Sequence, residues 1–577
     1  SCSNIIGRIL STNNNHENFF NEPIDGVVFI HPKTKKFIKG NYVDRIKDLD
    51  EVPSPYLTGL MDKFFDGHLT PFIETNRGCP FTCSFCHTGA DYFHKLNKFS
   101  KQRVKDEINY IGERVGKLGI SNLHMADVNF GMYPQDRLTC EYLKESKKKY
   151  GWPKQIMATT GKNSKDRVME ITNILGDMFS INMSMQSMDE QVLKNIKRAN
   201  IKLDHMIDVN NHLIEEGRST KAELIVGLPG ESKETFISGL NNVLNSNCAS
   251  VTIYTLMMLH GTEFKNPSYR KEFGYEGKYR IVPLNFGEYN GNRIFDYEEV
   301  GVITKDMSFD DYLYLRVMAL FVESLHNGKP FNEFFLYAKH YNIQPATFLK
   351  ILNDNIKNAS SGIQNLINEF IDETRNELWD SEDDLLEHYR NDKNYLKLKN
   401  GEVGGNLIYK YKSKNLVENN SAWLDFFEKE LYKAILEKQN NIINLDQIKS
   451  EIEEISKFCK LKLHGLLNPK IESSSVELSF KYDILKWIDN YDEKNNLSNY
   501  KFGYDEKLVF EYTNDQILVR DDVFKRYGTS INALSKIVTR ISNLQSQFRK
   551  VRYGNDKYLR DVYKKEGENF VKYSLSN

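Results

Sequence analysis

Three cysteines lie close together in the stretch Cys79-Pro80-Phe81-Thr82-Cys83-Ser84-Phe85-Cys86. They follow directly on the short apolar segment 71–75. Zinc and iron–sulfur clusters take thiolates as ligands, so three clustered cysteines in a chain with seven predict a metal or iron–sulfur site. Three ligands are one fewer than a cluster held entirely by protein would need.

The other four cysteines, Cys2, Cys140, Cys248 and Cys459, stand singly, unlike the clustered pattern of a secreted disulfide framework. The start of the chain has no signal-peptide pattern, and no apolar run approaches the length of a membrane span. We therefore expect a cytoplasmic protein without a membrane partner. The first residue is not methionine, which leaves open that the sequence is processed or part of a longer protein.

Composition indicates a globular protein with a sizeable core, because 40% of the 577 residues are hydrophobic and 12% are aromatic. Lys and Arg number 78 against 79 Asp and Glu, a formal net charge of −1. This balance gives no global electrostatic case for binding nucleic acid.

Short apolar runs alternate with helical patterns from residue 71 to about 256, which is typical of βα units and a parallel sheet. We predict strands near 71–75, 122–126, 155–159, 180–184, 221–226 and 250–255. Helical patterns lie between them near 102–118, 136–149, 164–175, 188–198, 203–216 and 232–244. Such units build either an open doubly wound sheet or a partly closed barrel, and in both the strands' carboxyl ends share one edge.

Each predicted strand is followed by a polar or glycine-rich cluster. These clusters are the cysteine loop, 126–129, 159–162, 185–187, 227–231 and 259–262. Because the carboxyl ends of the strands share one edge, we expect all six clusters to meet at one mouth.

The rest of the chain has few residues to which a chemical role can be assigned. We predict a hairpin containing a strand at 26–30, a helix at 312–321, and further helices within 421–465 and 529–549. The predicted division is 1–70 as an N-terminal segment, 71–265 as the α/β core, 266–300 as an extension and 301–577 as a mainly helical region.

The cysteine run, with aromatic Phe85 directly before the third cysteine, resembles the cluster loop of the radical S-adenosylmethionine (SAM) superfamily. Segments 184–187, 193–198 and 223–231 are similar in order and spacing to strands four and five of its barrels, so the resemblance covers about 71–265. It implies a partial (β/α)6 barrel in which Cys79, Cys83 and Cys86 hold a [4Fe-4S] cluster. The amino and carboxylate groups of SAM bind the open iron, and reductive cleavage gives a 5′-deoxyadenosyl radical that abstracts hydrogen from a substrate.

The same resemblance assigns further residues to SAM. It places Phe85 against the adenine, and Gly227 and Leu228 where the backbone approaches the adenine. It places Asp127 and Asn129 at the amino group and Gln186 and Ser187 near the ribose. Arg198 and Lys162 are cations near the mouth, and either could pair with the SAM carboxylate. Each also has a structural alternative: side-chain packing, a helix cap, a turn or a solvated charge.

Several segments are similar to those of radical SAM proteins that carry a cobalamin-binding domain before the barrel; they are 50–56, 126–131, 260–262 and 279–283. A domain of that kind needs on the order of 100 residues or more, and the given sequence has 70 before the barrel and no Asp-x-His-x-x-Gly motif. Whether cobalamin is bound is therefore open. The subgroup favours C-methylation or rearrangement, whereas the missing motif favours oxidation, cyclisation or epimerisation.

Other functions remain to be weighed. His87 or His94 could complete a zinc site, the cluster could only carry electrons, or the barrel could be a scaffold without turnover. An RNA-modifying enzyme would suit a basic patch at 525–526, Arg540 and 549–552, but nucleic acid is disfavoured by the charge balance. Without a second cysteine cluster, peptide maturases with auxiliary clusters are disfavoured too. The partners expected are a small-molecule substrate and an external reductant such as flavodoxin or ferredoxin.

Overall fold

A computed structural model describes residues 2–12, 19–161, 165–179, 181–215, 218, 220–438, 444–469, 475–541 and 543–563. Its strands, in chain order, are β1 Val28–Ile30, β2 Phe37–Lys39, β3 Phe72–Ile73, β4 Asn76–Arg77, β5 Asn97–Lys98, β6 Asn122–Met125, β7 Gln155–Met157, β8 Ile181–Gln186, β9 Thr220–Val226, β10 Ser250–Thr255, β11 Glu276–Tyr289, β12 Asn292–Ile303, β13 Val476–Tyr482, β14 Lys501–Glu511 and β15 Lys550–Tyr553.

The α-helices are, in the same order, α1 Cys2–Ser11, α2 Lys101–Val115, α3 Asp136–Tyr150, α4 Lys165–Leu175, α5 Glu190–Asn195, α6 Leu203–Glu215, α7 Lys233–Leu244, α8 Pro267–Phe273, α9 Phe309–Phe321, α10 Asn332–His340, α11 Pro345–Asp354, α12 Ser361–Asn376, α13 Glu382–Arg390, α14 Asp392–Lys399, α15 Leu407–Ser413, α16 Asn420–Lys438, α17 Leu445–Leu463, α18 Ile484–Asp489, α19 Asn514–Tyr527 and α20 Ile531–Arg540. Within the described part of the chain, none of the helices has both the length and the apolarity needed to cross a membrane.

Six parallel strands form the predicted partial barrel. β3, β6 and β7 pair in one group, and β8, β9 and β10 in a second. A parallel bridge between Ile156 and Phe179 joins the groups, so neighbours in the sheet are also neighbours in the chain. That order is typical of a barrel, whereas a doubly wound sheet reverses direction at a switch point. No backbone pairing among the described strands joins β3 to β10, so the barrel is open on one side.

The two faces of the barrel strands differ in burial. Ala222, Leu224 and Val226 of β9 are buried in the core that includes residues of α7. On the inner face, Phe72, Met157 and Tyr254 are 53%, 48% and 50% exposed. Large side chains half-exposed on a concave surface are typical of an open chamber rather than a packed barrel interior.

Local sequence explains how the barrel helices begin. Ser232 and Thr235 form a reciprocal capping box at α7, and Ser100 accepts a hydrogen bond from the Arg103 amide at α2. Asp189 does the same for Val192 at α5. These caps fix where the chain turns from each loop into its helix.

The C-terminal region is mainly helical, as predicted, and α9 covers the predicted helix at 312–321. The side-chain amide of Asn327 exchanges two hydrogen bonds with the backbone of Val251 on β10, at 3.0 and 2.8 Å. This contact satisfies backbone groups on the free edge of the last barrel strand and attaches the helical region to it.

Three features of this region differ from what the sequence predicted. Strands β13, β14 and β15 form an antiparallel sheet that was not predicted. The helix predicted over 529–549 is α20 followed by a short 3-10 turn at Leu544–Gln547. Arg549, assigned to a basic surface patch, is 1% exposed and donates to the carbonyl oxygens of His464 and Phe510. It is therefore an internal structural residue.

Candidate functional site

The cysteine loop leaves β3 and β4 and packs into the mouth of the barrel. Cys79 and Cys83 are 5% and 4% exposed, Cys86 is partly exposed, and all three are free thiols. The Cys79 amide donates to the carbonyl of Phe93 at 2.8 Å. A Cβ on Gly89 would lie 2.3 Å from the Cys83 carbonyl oxygen, so a residue without a side chain is required for this close approach.

Asp127, at the end of β6, holds the start of this loop. Its Oδ1 accepts hydrogen bonds from the amides of Thr75 and Asn76 at 2.9 and 3.0 Å, and its Oδ2 accepts one from the Thr75 hydroxyl at 2.8 Å. The side chain is 1% exposed, and burial raises its pKa to about 7 against the lowering effect of these bonds. The structure thus gives Asp127 a positioning contact, while its predicted contact with SAM stays a prediction.

Asn129 lies beside one of the three sulfurs. Its Nδ2 donates to the Cys79 Sγ at 3.3 Å, and the residue is fully buried. Its Oδ1 is buried with no hydrogen-bond partner among the described residues. Tyr133 is a neighbour of both: the pKa of its hydroxyl is raised to about 12, first by burial and then by charge on Cys79, against a lowering effect of the Asn129 side chain.

Arg198, just beyond α5, lies beside a second sulfur. The side chain is 8% exposed, and burial lowers its pKa while the Cys83 and Cys86 sulfurs favour its charged form. Its Nε donates to the Asn200 Oδ1 at 2.8 Å and its Nη2 to the Ser184 carbonyl. Nη1 is buried with no hydrogen bond of ordinary geometry in the described chain. The structure therefore brings this predicted residue to the cysteine loop.

Gln186 and Ser187 form the turn that ends β8. Gln186 is 7% exposed and has a φ of 67°, a strained value for a residue with a side chain. The Ser187 hydroxyl donates to the Glu231 Oε1 at 2.5 Å. Burial raises the pKa of Glu231 to about 8, and its Oε2 has no partner within the described residues.

Gly227, Leu228 and Phe85 meet in one apolar cluster on the other side of the mouth. Leu228 is fully buried there and Phe85 packs against the same cluster. Gly227 has a φ of 97°, and a Cβ at this position would lie 2.9 Å from the backbone oxygen of Gly301. The backbone therefore needs glycine here for conformation as well as for space.

The inner face of the barrel also carries a carboxylate. Glu223 on β9 accepts hydrogen bonds at 2.6 Å from the Asn182 amide and the Ser184 hydroxyl of β8. All three side chains are partly exposed, so the group can still meet a ligand in the chamber.

The zinc alternative finds little support in the loop geometry. The His94 Nε2 is hydrogen-bonded to the Gly89 carbonyl at 2.9 Å, and the His87 ring lies against Phe93 with centroids 5.2 Å apart. Among the described residues, no three His, Cys, Asp or Glu side chains are grouped to hold a single metal ion. A [4Fe-4S] cluster needs wider spacing, because each thiolate binds a different iron. The free thiols, the Asn129 amide and the Arg198 guanidinium fit such an anionic group.

Three residues of the site were not singled out from the sequence, although Glu223 and Glu231 lie within segments that the sequence analysis identified. Tyr133 carries no motif and reaches Cys79 only through the fold. Glu231 lies directly before the cap of α7, a position that predicts a solvated charge, although the residue is 3% exposed. Glu223 had a usable signal, since it alternates with the buried residues of β9. Lys162, the second cation predicted for the SAM carboxylate, lies outside the described residues.

Comparison with known proteins agrees with this geometry. Residues 73–240 match the family model described as the radical SAM superfamily. This match confirms the resemblance of the cysteine loop to the cluster loop of that superfamily. The family takes a [4Fe-4S] cluster and SAM as its cofactors.

Two curated relatives are methyltransferases by name. The cobalamin-dependent radical SAM methyltransferase TokK of Streptomyces tokunonensis is 30% identical over 313 residues, and the 2-(S-pantetheinyl)-carbapenam-3-carboxylate methyltransferase of Streptantibioticus cattleyicolor is 32% identical over 304. Each alignment covers 50% of this chain and 44% of the relative, so the chain spans less than half the length of either.

A solved structure of the cobalamin-dependent S-adenosylmethionine radical enzyme OxsB, with aqua-cobalamin and S-adenosylmethionine bound, aligns with a TM-score of 0.39 and 12% identity. The alignment covers 79% of this chain and 66% of that one.

Proposed function

We propose that this chain, whose barrel is a radical SAM domain, binds a [4Fe-4S] cluster through Cys79, Cys83 and Cys86 and reductively cleaves SAM to act on a small molecule. One observation carries the proposal. Three free cysteines lie in one loop. The buried Asn129 amide and Arg198 guanidinium come from other segments and lie beside two of the sulfurs. Donors and positive charge are what an anionic cluster requires around it.

When bound, the reduced cluster supplies the electron that breaks a carbon–sulfur bond of SAM, which releases methionine and leaves a 5′-deoxyadenosyl radical able to take a hydrogen atom from a C–H bond. The protein's part is to bind and orient SAM. Arg198 can pair with the SAM carboxylate through Nη1, which is buried with no ordinary hydrogen bond in the described chain.

Other SAM groups have matching surfaces. The Glu223 carboxylate faces the chamber with oxygens that can accept from the amino group or the ribose hydroxyls. Phe85 and the backbone at Gly227 border an apolar cluster suited to adenine.

We infer that the substrate radical is methylated, since the two relatives named above are methyltransferases by name. A second SAM would supply the methyl group and leave as S-adenosylhomocysteine, and the reductant would supply the second electron that this transfer requires. The described residues before the barrel form helix α1, the β1–β2 hairpin and short 3-10 turns, which do not make a Rossmann domain. The residues present do not fit a cobalamin site, and we derive no step through cobalamin. A flavodoxin or ferredoxin is the proposed reductant, and the cytoplasm the proposed location.

Anaerobic reconstitution tests the proposal. The parent chain should take up about four irons and release 5′-deoxyadenosine from SAM in the presence of dithionite. Cys83→Ala should lose iron and SAM cleavage together. Cys140→Ala is the matched control, because it removes a fully buried thiol of α3 outside the loop and should retain both.

Parent-like 5′-deoxyadenosine formation by Cys83→Ala would refute the proposal. A parent chain that takes up the cluster but does not cleave SAM would instead indicate a binding scaffold without turnover. Release of S-adenosylhomocysteine in the same assay would support methylation, because methyl transfer from SAM leaves that product whereas reductive cleavage leaves methionine.

A further inference from the structure

We propose that the hydrogen bond from the Asn129 side-chain amide to the Cys79 sulfur raises the reduction potential of the cluster. The inference rests on the proposed function, because it assumes the cluster. It gives Asn129 a role in positioning charge at a ligand sulfur, in addition to its predicted contact with SAM.

The contact between the Asn129 amide and the Cys79 sulfur is already made in the protein. The Asn129 Nδ2 donates to the Cys79 Sγ at 3.3 Å, an ordinary length for a bond to sulfur. Asn129 is fully buried and Cys79 is 5% exposed. Water therefore has little access to this bond, and a bond in a medium of low polarity is electrostatically stronger than the same bond in water.

The backbone of this segment is held in place before any cofactor binds. The Asp136 Oδ2 accepts from the Gly131 and Tyr133 amides at 2.8 and 3.0 Å. Gly131 has a φ of 87°, and a Cβ there would lie 2.4 Å from the Ile171 Cδ1. The segment 129–133 is thus clamped from two sides, which suits a group that must hold its distance to a sulfur in both redox states.

Reduction adds one electron to the cluster and increases the negative charge on its sulfurs. A donor aimed at one sulfur stabilises the reduced form more than the oxidised form, so it raises the potential. Asn129→Leu removes the donor at similar volume and should therefore lower the potential.

Redox titration of the reconstituted full chain, followed by electron paramagnetic resonance without SAM, tests this. Omitting SAM removes any effect of Asn129 on the substrate. At the parent's midpoint, Asn129→Leu should lower the ratio of reduced to oxidised cluster about tenfold, equivalent to about 59 mV for a one-electron couple. Asn210→Leu is the control, since Asn210 is an equally buried amide bonded to Ser246, and it should leave the midpoint unchanged.

A parent-like midpoint in Asn129→Leu with full iron content would overturn the inference. If that variant does not retain iron, Asn129→Ala, which removes the same donor, decides: a lowered midpoint supports the inference and an unchanged one overturns it. A parent chain that takes up no cluster would refute the proposed function instead. A parent that cleaves SAM while the iron-loaded variant keeps the parent midpoint would refute the inference alone.

Discussion

Replacing Asp127 by asparagine should make the stability of the cysteine loop less dependent on pH. The Asp127 carboxyl is buried, and its pKa rises from the ordinary 3.8 to about 7. The folded chain therefore binds a proton that the unfolded chain has released between about pH 4 and pH 7. Stability from this group is present at low pH and is lost as the pH rises through 7.

The size of the effect follows from that rise. An increase from 3.8 to about 7 corresponds to about 4 kcal/mol over the whole range, of which about 2 kcal/mol falls between about pH 5.5 and pH 8. Asparagine keeps the acceptor for the Thr75 and Asn76 amides, and its NH2 group can donate to the Thr75 hydroxyl in place of the bond it loses. The variant should gain about 2 kcal/mol relative to the parent across that interval.

The assay is amide hydrogen exchange of peptides covering residues 71–90 in the iron-free chain, which reports the free energy of opening this segment. Asp136→Asn is the matched control, because the pKa of Asp136 is raised only to about 6. The gain in stability of Asp136→Asn over the parent should be complete about one pH unit lower than that of Asp127→Asn. If the difference between Asp127→Asn and the parent is the same at pH 5.5 and pH 8, the carboxyl is not protonated in the folded chain and the reasoning fails.

Three further changes should have measurable effects on stability. Glu231→Gln keeps the acceptor for Ser187 and removes a carboxyl whose pKa is about 8, so its thermal midpoint should exceed the parent's at pH 9 by more than at pH 6. Gly227→Ala, at a φ of 97° and against a backbone oxygen 2.9 Å away, should cost about 1–3 kcal/mol in urea unfolding. Lys462→Met removes the cationic partner of the Glu333 carboxylate, and both side chains are fully buried and 2.7 Å apart. The change should reduce the free energy of unfolding by about 3–5 kcal/mol, and adding Glu333→Leu should restore part of that loss.

The barrel strands could be predicted because each carries its own local signal. In β9 the apolar residues Ala222, Leu224 and Val226 alternate with Lys221, Glu223 and Ile225, and the structure pairs this strand within one residue of the predicted bounds. The C-terminal sheet was missed for the opposite reason. β13 and β14 have alternating residues too, but they lie in a Lys- and Asn-rich region and pair only across an intervening helix, with β15 added from a distant segment.

The site divides in the same way. The cysteine spacing and the glycine turn are local patterns and could be located from the sequence. The contact from Asn129 to Cys79 joins residues 50 positions apart, and no spacing rule relates them. Glu231 is harder still, because an acid just before a helix cap is usually a solvated charge that favours the helix N-terminus. Only the packing around Ser187 explains its burial.

The raised carboxyl pKa values also bear on how an anionic cofactor is accommodated. Burial raises the pKa of Asp127 to about 7, of Asp136 to about 6 and of Glu231 to about 8. A protonated carboxyl can anchor a loop through hydrogen bonds without adding negative charge beside three thiolates. Arg198 supplies a buried positive charge close to Cys83. A negative cluster near Asp127 would disfavour its ionised form further, so cluster binding should tighten the hold of this carboxyl on its proton.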